Sequence, residues 1–162
     1  MAAIVVYESF WGNTADVARA IAEGIGGDTP ALTTDQVTPE VLAGADLIVV
    51  GAPIIAFSLA SNTSRTNIVN DAKAPRPADA SHPLLRSWLE VLPKGSGRFA
   101  AFETGYKWSP AATKRISRGM EAAGYTQAAK PERFLVAGSY GPMKDGEIER
   151  ARAWGATLAG KA

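Results

Sequence analysis

The chain has 162 residues, of which 46% are apolar and 20% are charged, and its formal net charge at pH 7 is +1. This balance is typical of a globular protein, and the near-neutral charge gives no reason to expect nucleic acid or a membrane surface as a partner. Cysteine is absent, which excludes disulfides, iron–sulfur clusters and thiolate zinc sites.

The first predicted strand covers residues 4–7, a short β-branched and aromatic run. A helix is predicted to follow, because apolar or small residues recur with helical spacing between positions 17 and 25. We expect this helix to end at a cluster of glycines, namely Gly24, Gly26 and Gly27.

The next predicted elements are short. Residues 31–34 are a weak second strand, and Thr38 followed by Pro39 is typical of the start of a helix that runs to about residue 42. Residues 47–50 are the clearest strand of the chain. Their continuous apolar character predicts a parallel strand that is covered on both faces.

Residues 58–80 are the least regular part of the sequence. Residues 64–69 are predicted to hold one or two helical turns, and prolines preclude a longer element. We interpret residues 73–83 as a surface loop rather than a linker, because the strands on both sides are needed in one sheet. A helix with one apolar face follows, marked by Leu84, Leu85, Trp88, Leu89 and Leu92.

Two further strand–helix pairs complete the pattern. The fourth predicted strand, residues 99–102, precedes a helix capped by Ser109 and Pro110. The fifth, residues 134–136, precedes a last helix capped by Asp145. This alternation predicts a doubly wound α/β/α sandwich with a five-stranded parallel sheet, and right-handed crossovers leave few strand orders. With no internal repeat, residues 1–162 are interpreted as a single domain.

The turn between the first strand and the first helix is the most informative segment. Ligands of an open parallel sheet bind at the carboxyl ends of its strands, and Ser9, Asn13 and Thr14 place hydroxyl and amide donors there. Gly12 has no Cβ to obstruct a ligand that approaches the backbone. The free N–H groups at the start of the helix favour an anion. The turn is therefore either a site for a terminal phosphate monoester or a polar turn that only caps the helix.

The stretch Ser9-x-Trp11-Gly12-Asn13-Thr14 resembles the phosphate loop of flavodoxins. The resemblance covers nearly the whole chain, because residues 47–57 and 99–108 are similar to the family's third and fourth strands with their loops. Residues 141–147 are similar to its entry into the final helix. The resemblance implies the strand order 2-1-3-4-5, the short-chain form of the family, and FMN bound at the topological switch point.

The resemblance also implies which residues bind FMN. The first loop would hold the phosphate through Ser9, Phe10, Trp11, Gly12, Asn13 and Thr14. Two later loops would hold the isoalloxazine ring through Pro53, Ile54, Ile55, Ala56 and Phe57, and through Glu103, Thr104, Gly105, Tyr106 and Trp108. The aromatic side chains among these residues are candidates for stacking on the ring, and otherwise would serve only in loop or core packing.

Three functions remain open. The first is an FMN-dependent electron carrier. The second is a flavin-dependent reductase of quinone or another small acceptor, for which Ala56 and Ala60 would leave room. The third is a module of the same fold that has lost FMN, because Ile54 and Ile55 stand where related proteins usually carry a polar pair. A response regulator is disfavoured, since no aspartate follows the third strand.

The net charge of the chain differs from that of most flavodoxins. Flavodoxins are typically very acidic, whereas this chain is near neutral. We expect the partner to be a redox protein or a small-molecule acceptor, and the protein to be a monomer or weak homodimer. We expect a cytoplasmic location, because the N-terminus does not resemble a signal peptide. Near the flavin, Glu103 would disfavour the anionic reduced form and Lys107 would favour it.

Other polar residues indicate no further site. His82 lies in the irregular stretch and has no evident partners for a Ser–His–Asp triad. The basic residues of the fourth helix are interpreted as a solvated face rather than a nucleic-acid patch, and they are Lys114, Arg115 and Arg118. The acidic residues that open the last helix complement its dipole.

Overall fold

The computed structural model describes residues 1–160, which form helices around one parallel β-sheet. The strands are β1 (Ala3–Tyr7), β2 (Ala31–Thr33), β3 (Leu47–Pro53), β4 (Arg98–Gly105), β5 (Thr126–Gln127) and β6 (Glu132–Leu135). The order across the sheet is β2-β1-β3-β4, and β5 and β6 both pair with β4. The doubly wound fold and the order 2-1-3-4-5 are therefore confirmed.

The fifth position of the sheet is divided between two short strands. β5 pairs with the start of β4, and β6 pairs with its end. The predicted extent of the fifth strand, residues 134–136, is wrong, because β6 starts at Glu132 and ends at Leu135. Val136 instead forms an isolated antiparallel bridge with Met143. The first two residues of β6, Glu132 and Arg133, are charged, so a search for apolar runs does not detect where this strand begins.

Helices cover both faces of this sheet. They are α1 (Asn13–Ile25), α2 (Pro39–Ala43), α3 (Asn62–Val69), α4 (Leu85–Glu90), α5 (Thr113–Ala122) and α6 (Glu147–Ala159). The cap predicted at Thr38 is confirmed, because its hydroxyl accepts a hydrogen bond from the Val41 amide at 3.3 Å. Within residues 1–160, no helix is both long enough and apolar enough to cross a membrane.

Alternate residues of the central strands pack into separate cores. One core joins Val5, Val49 and Phe102 to the inner faces of α1 and α6. The other joins Ile48 and Phe99 to residues of α2, α4 and α5. Because successive side chains of a strand point to opposite faces, the continuous apolar run in β3 supplies both cores. This arrangement leaves the carboxyl ends of the strands as the exposed edge at which a ligand can bind.

Close contact between α1 and α6 depends on two glycines. A Cβ on Gly24 would lie 1.9 Å from the carbonyl oxygen of Arg152, and a Cβ on Gly155 would lie 2.2 Å from that of Ile21. The prediction that Gly24 ends the first helix is therefore wrong. Gly24 lies inside α1, where it permits the two backbones to touch, and Gly26 is the C-cap.

The predicted caps of the last two helices are also wrong. Helix α5 begins after Ala112 rather than at Ser109–Pro110, because the buried carboxylate of Glu103 accepts hydrogen bonds from its first amides. Helix α6 begins after Gly146 rather than after Asp145. The φ of Gly146 is +82°, a value that glycine adopts with little strain and aspartate adopts rarely.

Candidate functional site

The loop after β1 leads directly into an uncapped helix. Gly12 is the N-cap of α1, with φ +103° and no side-chain cap hydrogen bond. Its amide donates to Ser9 Oγ at 3.1 Å, which holds the loop in a tight turn. The amides of the first turn of α1 have no carbonyl partner within the helix. They and the positive end of the helix dipole therefore form a place for an anion.

Two predicted phosphate-loop side chains are engaged by the protein itself. The hydroxyls of Thr14 and Thr104 lie 2.8 Å apart in a buried hydrogen bond. The side-chain amide of Asn13 donates to the Gly138 carbonyl oxygen at 3.3 Å. Asn13 thus links the start of α1 to the loop after β6. The backbone amides, rather than these side chains, are the donors that remain for a ligand.

The loop after β3 contains a strained tight turn. Ile55 and Ser58 exchange backbone hydrogen bonds of 2.8 and 3.0 Å, and the two residues between them both have positive φ, +46° at Ala56 and +66° at Phe57. Positive φ at both central positions is the type I′ geometry that normally selects asparagine and glycine. The Phe57 side chain at the tip of this turn is 74% exposed.

Three of the predicted loop residues after the fourth strand lie within β4 itself, and their roles differ. Thr104 and Gly105 line the cavity described below. Glu103 does not, because its carboxylate accepts hydrogen bonds from the Ala112 and Thr113 amides and pairs with Arg133 Nε at 2.7 Å. Its charge is therefore neutralised on the far side of the strand.

Aromatic side chains surround the edge of the site. Tyr106 is 47% exposed and its hydroxyl lies 3.3 Å from Ser139 Oγ. Trp108 is 85% exposed, and Lys107 Nζ lies 5.1 Å from the centre of its ring. Ala60, which was expected to leave room for a substrate, is instead fully buried in a small cluster beneath the loops.

One cavity of about 230 Å³ joins these loops. Its predicted lining residues are Ser9, Phe10, Trp11, Asn13, Thr14, Pro53, Ile54, Ile55, Thr104, Gly105 and Tyr106. The predicted residues outside its lining are Gly12, Ala56, Phe57, Glu103 and Trp108. Lining residues that sequence reasoning missed are Ile68, Asp71, Val136, Ser139 and Tyr140. The last three follow β6, so the rule that sites lie at strand carboxyl ends could have found them. No sequence signal marked Ile68 or Asp71.

Asp71 and Tyr140, which both line the cavity, contact each other, and Tyr140 also contacts Trp11. The Tyr140 hydroxyl donates to Asp71 Oδ2, and this hydrogen bond lowers the pKa of Asp71 below its ordinary value. The rings of Tyr140 and Trp11 meet edge to face, with centroids 4.9 Å apart. Trp11 Nε1 is buried and has no hydrogen-bond partner within residues 1–160. An indole N–H without a partner marks a place where a ligand acceptor would be favourable.

The charged groups of the described residues do not form a metal centre. Within residues 1–160, no group of three or more histidine, aspartate or glutamate side chains is placed to bind an ion. The chemistry of the cavity is instead that of apolar walls, an aromatic rim and backbone amides. These features suit a flat organic group that carries an anionic end.

The chain is similar along its whole length to solved flavodoxins. A flavodoxin from the domain Archaea matches with 24% identity over 99% of this chain and 98% of its own, with a TM-score of 0.69. Flavodoxin 2 from Bacillus cereus matches with 16% identity over 100% of both chains and a TM-score of 0.68. A short-chain flavodoxin associated with a bacterial microcompartment matches with 16% identity over 100% of this chain and 99% of its own, with a TM-score of 0.67.

At these identities, the likeness establishes the flavodoxin-like fold. Neither a protein-family model nor a curated protein sequence matches the chain.

Proposed function

We propose that this chain is a member of the flavodoxin family that binds FMN in the cavity and carries electrons. The observation that carries the proposal is that the loops after β1, β3 and β4 line one cavity beside the uncapped start of α1. Flavodoxins are among the solved structures that match this chain along its full length, which supports the same interpretation. The partner would be a redox protein or a small-molecule acceptor.

The residues present fit the phosphate end of FMN. The first-turn amides of α1 follow a glycine that offers no side-chain cap, and Ser9 Oγ accepts a hydrogen bond from that glycine. Trp11, in the same loop, has a buried Nε1 that lacks a hydrogen-bond partner within residues 1–160. An anion bound here needs no lysine, because the helix terminus supplies the complementary partial charge.

The residues present also fit the isoalloxazine ring. Ile54 and Ile55 supply apolar walls, and Tyr106 supplies an aromatic face at the opening. The volume of about 230 Å³ is smaller than the roughly 300–1,000 Å³ of most small-molecule sites. Binding of FMN therefore requires the loops to open slightly or the ring to extend beyond the rim, toward the exposed Phe57 and Trp108.

When bound, FMN would supply the electron-accepting chemistry, and the protein would bind it, orient it and adjust its potential. The amides of Asn13, Thr14 and Ala15 would hold the phosphate, and the apolar walls would exclude water from the isoalloxazine ring. Lys107 follows the lining residue Tyr106 in sequence, and its Nζ lies 5.1 Å from the centre of the exposed Trp108 ring. It would favour a negative charge on the reduced ring.

An absorption spectrum of the purified protein, before and after incubation with FMN and desalting, tests the proposal. We expect flavin bands in the visible region that stay with the protein. A folded protein that stays colourless would favour the alternative of a flavodoxin-like module that has lost FMN. A matched variant, Gly12→Val, tests whether retention depends on the first loop, because valine disfavours a φ of +103°.

A further inference from the structure

Four consecutive residues of the first loop are each hydrogen-bonded to the segment that leads into α4 and includes its first residue. We name residues 76–85 the strap. The bonded pairs are Glu8 with Leu85, Ser9 with His82, Phe10 with Asp79, and Trp11 with Arg76. The strap residues recur every three positions, which is the period of a polyproline II helix. The segment interpreted from sequence as a surface loop therefore supports the candidate phosphate loop along its length.

His82 is a buried polar side chain within the strap. Its Nε2 lies 2.9 Å from the Ser9 carbonyl oxygen, and its ring packs against Phe10 with centroids 5.8 Å apart. A carbonyl oxygen only accepts hydrogen bonds, so Nε2 must carry a proton for this contact to be a hydrogen bond. Nδ1 lies farther, 3.3 Å, from the Pro83 carbonyl oxygen.

The contact at Ser9 is transmitted to the anion site through a short chain of bonds. His82 holds the Ser9 carbonyl, Ser9 Oγ accepts from the Gly12 amide at 3.1 Å, and Gly12 begins α1. A ligand site loses affinity when the groups that orient its donors are released. These contacts connect the Gly12 amide, through Ser9, to a side chain that lies 73 residues after Ser9 in sequence.

Charged groups also surround His82. The Glu8 carboxylate and Asp79 face it, and Arg65 and Arg86 lie close to these carboxylates. Glu8 Oε2 accepts the Leu85 amide at 2.7 Å, and Glu8 Oε1 has no hydrogen-bond partner within residues 1–160. The strap thus meets the loop through buried polar groups, whose hydrogen bonds are costly to break.

We propose that His82 is a positioning residue for the anion site, and that it acts by donating from Nε2 to the Ser9 carbonyl. The identity of the anion, the phosphate of FMN, rests on the proposed function. The positioning role itself is a property of the protein without ligand. Loss of the donor should weaken binding of the phosphate end and leave the ring site less affected.

Affinities for FMN and for riboflavin, which lacks the phosphate, separate positioning from general damage. His82→Leu removes the donor, and His82→Gln keeps an N–H donor of similar reach. We expect His82→Leu to bind FMN about tenfold more weakly, the scale of one lost hydrogen bond, with a smaller change for riboflavin. We expect His82→Gln to recover most of the affinity, and Ser81→Ala, an exposed strap residue, to bind as wild type.

The same variants can contradict the proposal. The proposal would be contradicted if His82→Leu lost the same affinity for FMN as for riboflavin, or if a folded His82→Gln recovered no affinity for FMN. Either result would show that the His82 imidazole only fills space. If His82→Leu does not fold, the comparison of His82→Gln with wild type decides the question. Wild-type protein that binds neither flavin would instead overturn the proposed function.

A second measurement needs no flavin. His82 is the single histidine of the chain, so a long-range ¹H–¹⁵N spectrum of the apoprotein reports its tautomer without ambiguity. We expect Nε2 to be protonated at neutral pH, and the Gly12 amide to exchange its hydrogen faster in His82→Leu than in His82→Gln. An unprotonated Nε2 would overturn the proposal, whatever the result with flavin.

Discussion

The Ile54 amide donates to the Thr104 carbonyl oxygen at 2.9 Å, which joins the loop after β3 to the end of β4. The bond continues the register of the two strands, in which Pro53 is paired with Thr104. Gly105 comes next, and a Cβ there would lie 2.8 Å from Ile54 Cδ1. One wall of the cavity is therefore an isoleucine that packs directly on a glycine.

Substitution Gly105→Ala should move this wall. Because the obstructing atom is the end of a flexible side chain, we expect Ile54 to shift, with little loss of stability. A shift toward the cavity should weaken FMN binding about tenfold, the scale of modest overpacking. Fluorescence titration with FMN measures the change. The double variant Gly105→Ala with Ile54→Val should recover affinity, and unchanged affinity in the single variant would contradict this account of the wall.

The contact between α1 and α6 predicts a large effect of a small substitution. Gly24→Ala would place a Cβ 1.9 Å from the Arg152 carbonyl oxygen, so the helices must separate. The clash should outweigh the gain of about 1 kcal/mol from better helix propensity, and we expect a net loss of about 1–3 kcal/mol in the free energy of unfolding. Urea denaturation measures it. Gly44→Ala, where the nearest atom is 3.5 Å away, is the control and should change little.

Burial of Glu8 predicts a dependence of stability on pH. Desolvation raises the pKa of Glu8 above its ordinary value, despite the hydrogen bond from Leu85. The folded state therefore holds this proton more tightly than the unfolded state. Its contribution is fully present below the unfolded-state pKa of about 4.3 and is lost as pH rises through the folded-state pKa.

Glu8→Gln tests this dependence, because glutamine does not titrate. Relative to wild type, the variant should gain stability as pH rises from about 4 to neutral pH. Denaturation at a series of pH values measures the difference, with Glu90→Gln on the exposed face of α4 as the control. A difference between variant and wild type that does not change with pH would show that Glu8 has no perturbed titration.

A charge at the rim should change the flavin potential. Lys107 lies beside the cavity lining, and Glu103, its expected opponent, is neutralised by Arg133. We expect Lys107→Glu to lower the midpoint potential of the bound flavin by on the order of 20 mV. The shift should be small because solvent screens a charge at this exposed site. Redox titration of the FMN-loaded protein measures it. Lys114→Glu, on the surface of α5, makes the same charge change, and an equal shift there would remove any special role for Lys107.

Local patterns predicted the architecture well. The apolar run at residues 47–50 identified the central strand, and its cover on both faces is confirmed by the two cores. The Gly12 turn after β1 was found because a glycine and polar residues stand between a strand and a helix. These features depend on residues that are neighbours in the sequence, so the sequence alone was sufficient to predict them.

Features that depend on distant partners could not be read in this way. Glu103 was assigned to the flavin because the flavodoxin resemblance placed it in a ring-binding loop, yet its carboxylate accepts from the first amides of α5 and pairs with Arg133. His82 gave no signal, because its partner is a backbone carbonyl far away in sequence. Gly24 was interpreted as a helix end, whereas its role depends on the position of α6. In each case, the deciding contact joins residues of different structural elements, which the local sequence pattern does not show.

The central claim is that the backbone amides at the start of α1 hold the phosphate of FMN. The most direct measurement is a ¹H–¹⁵N titration of the protein with FMN and, separately, with riboflavin. We predict that the amide signals from Gly12 to Ala15 shift strongly with FMN, and that riboflavin leaves them nearly unchanged while it shifts signals at Ile54 and Tyr106. If saturating FMN leaves the amides from Gly12 to Ala15 unmoved in a folded protein, the account is contradicted.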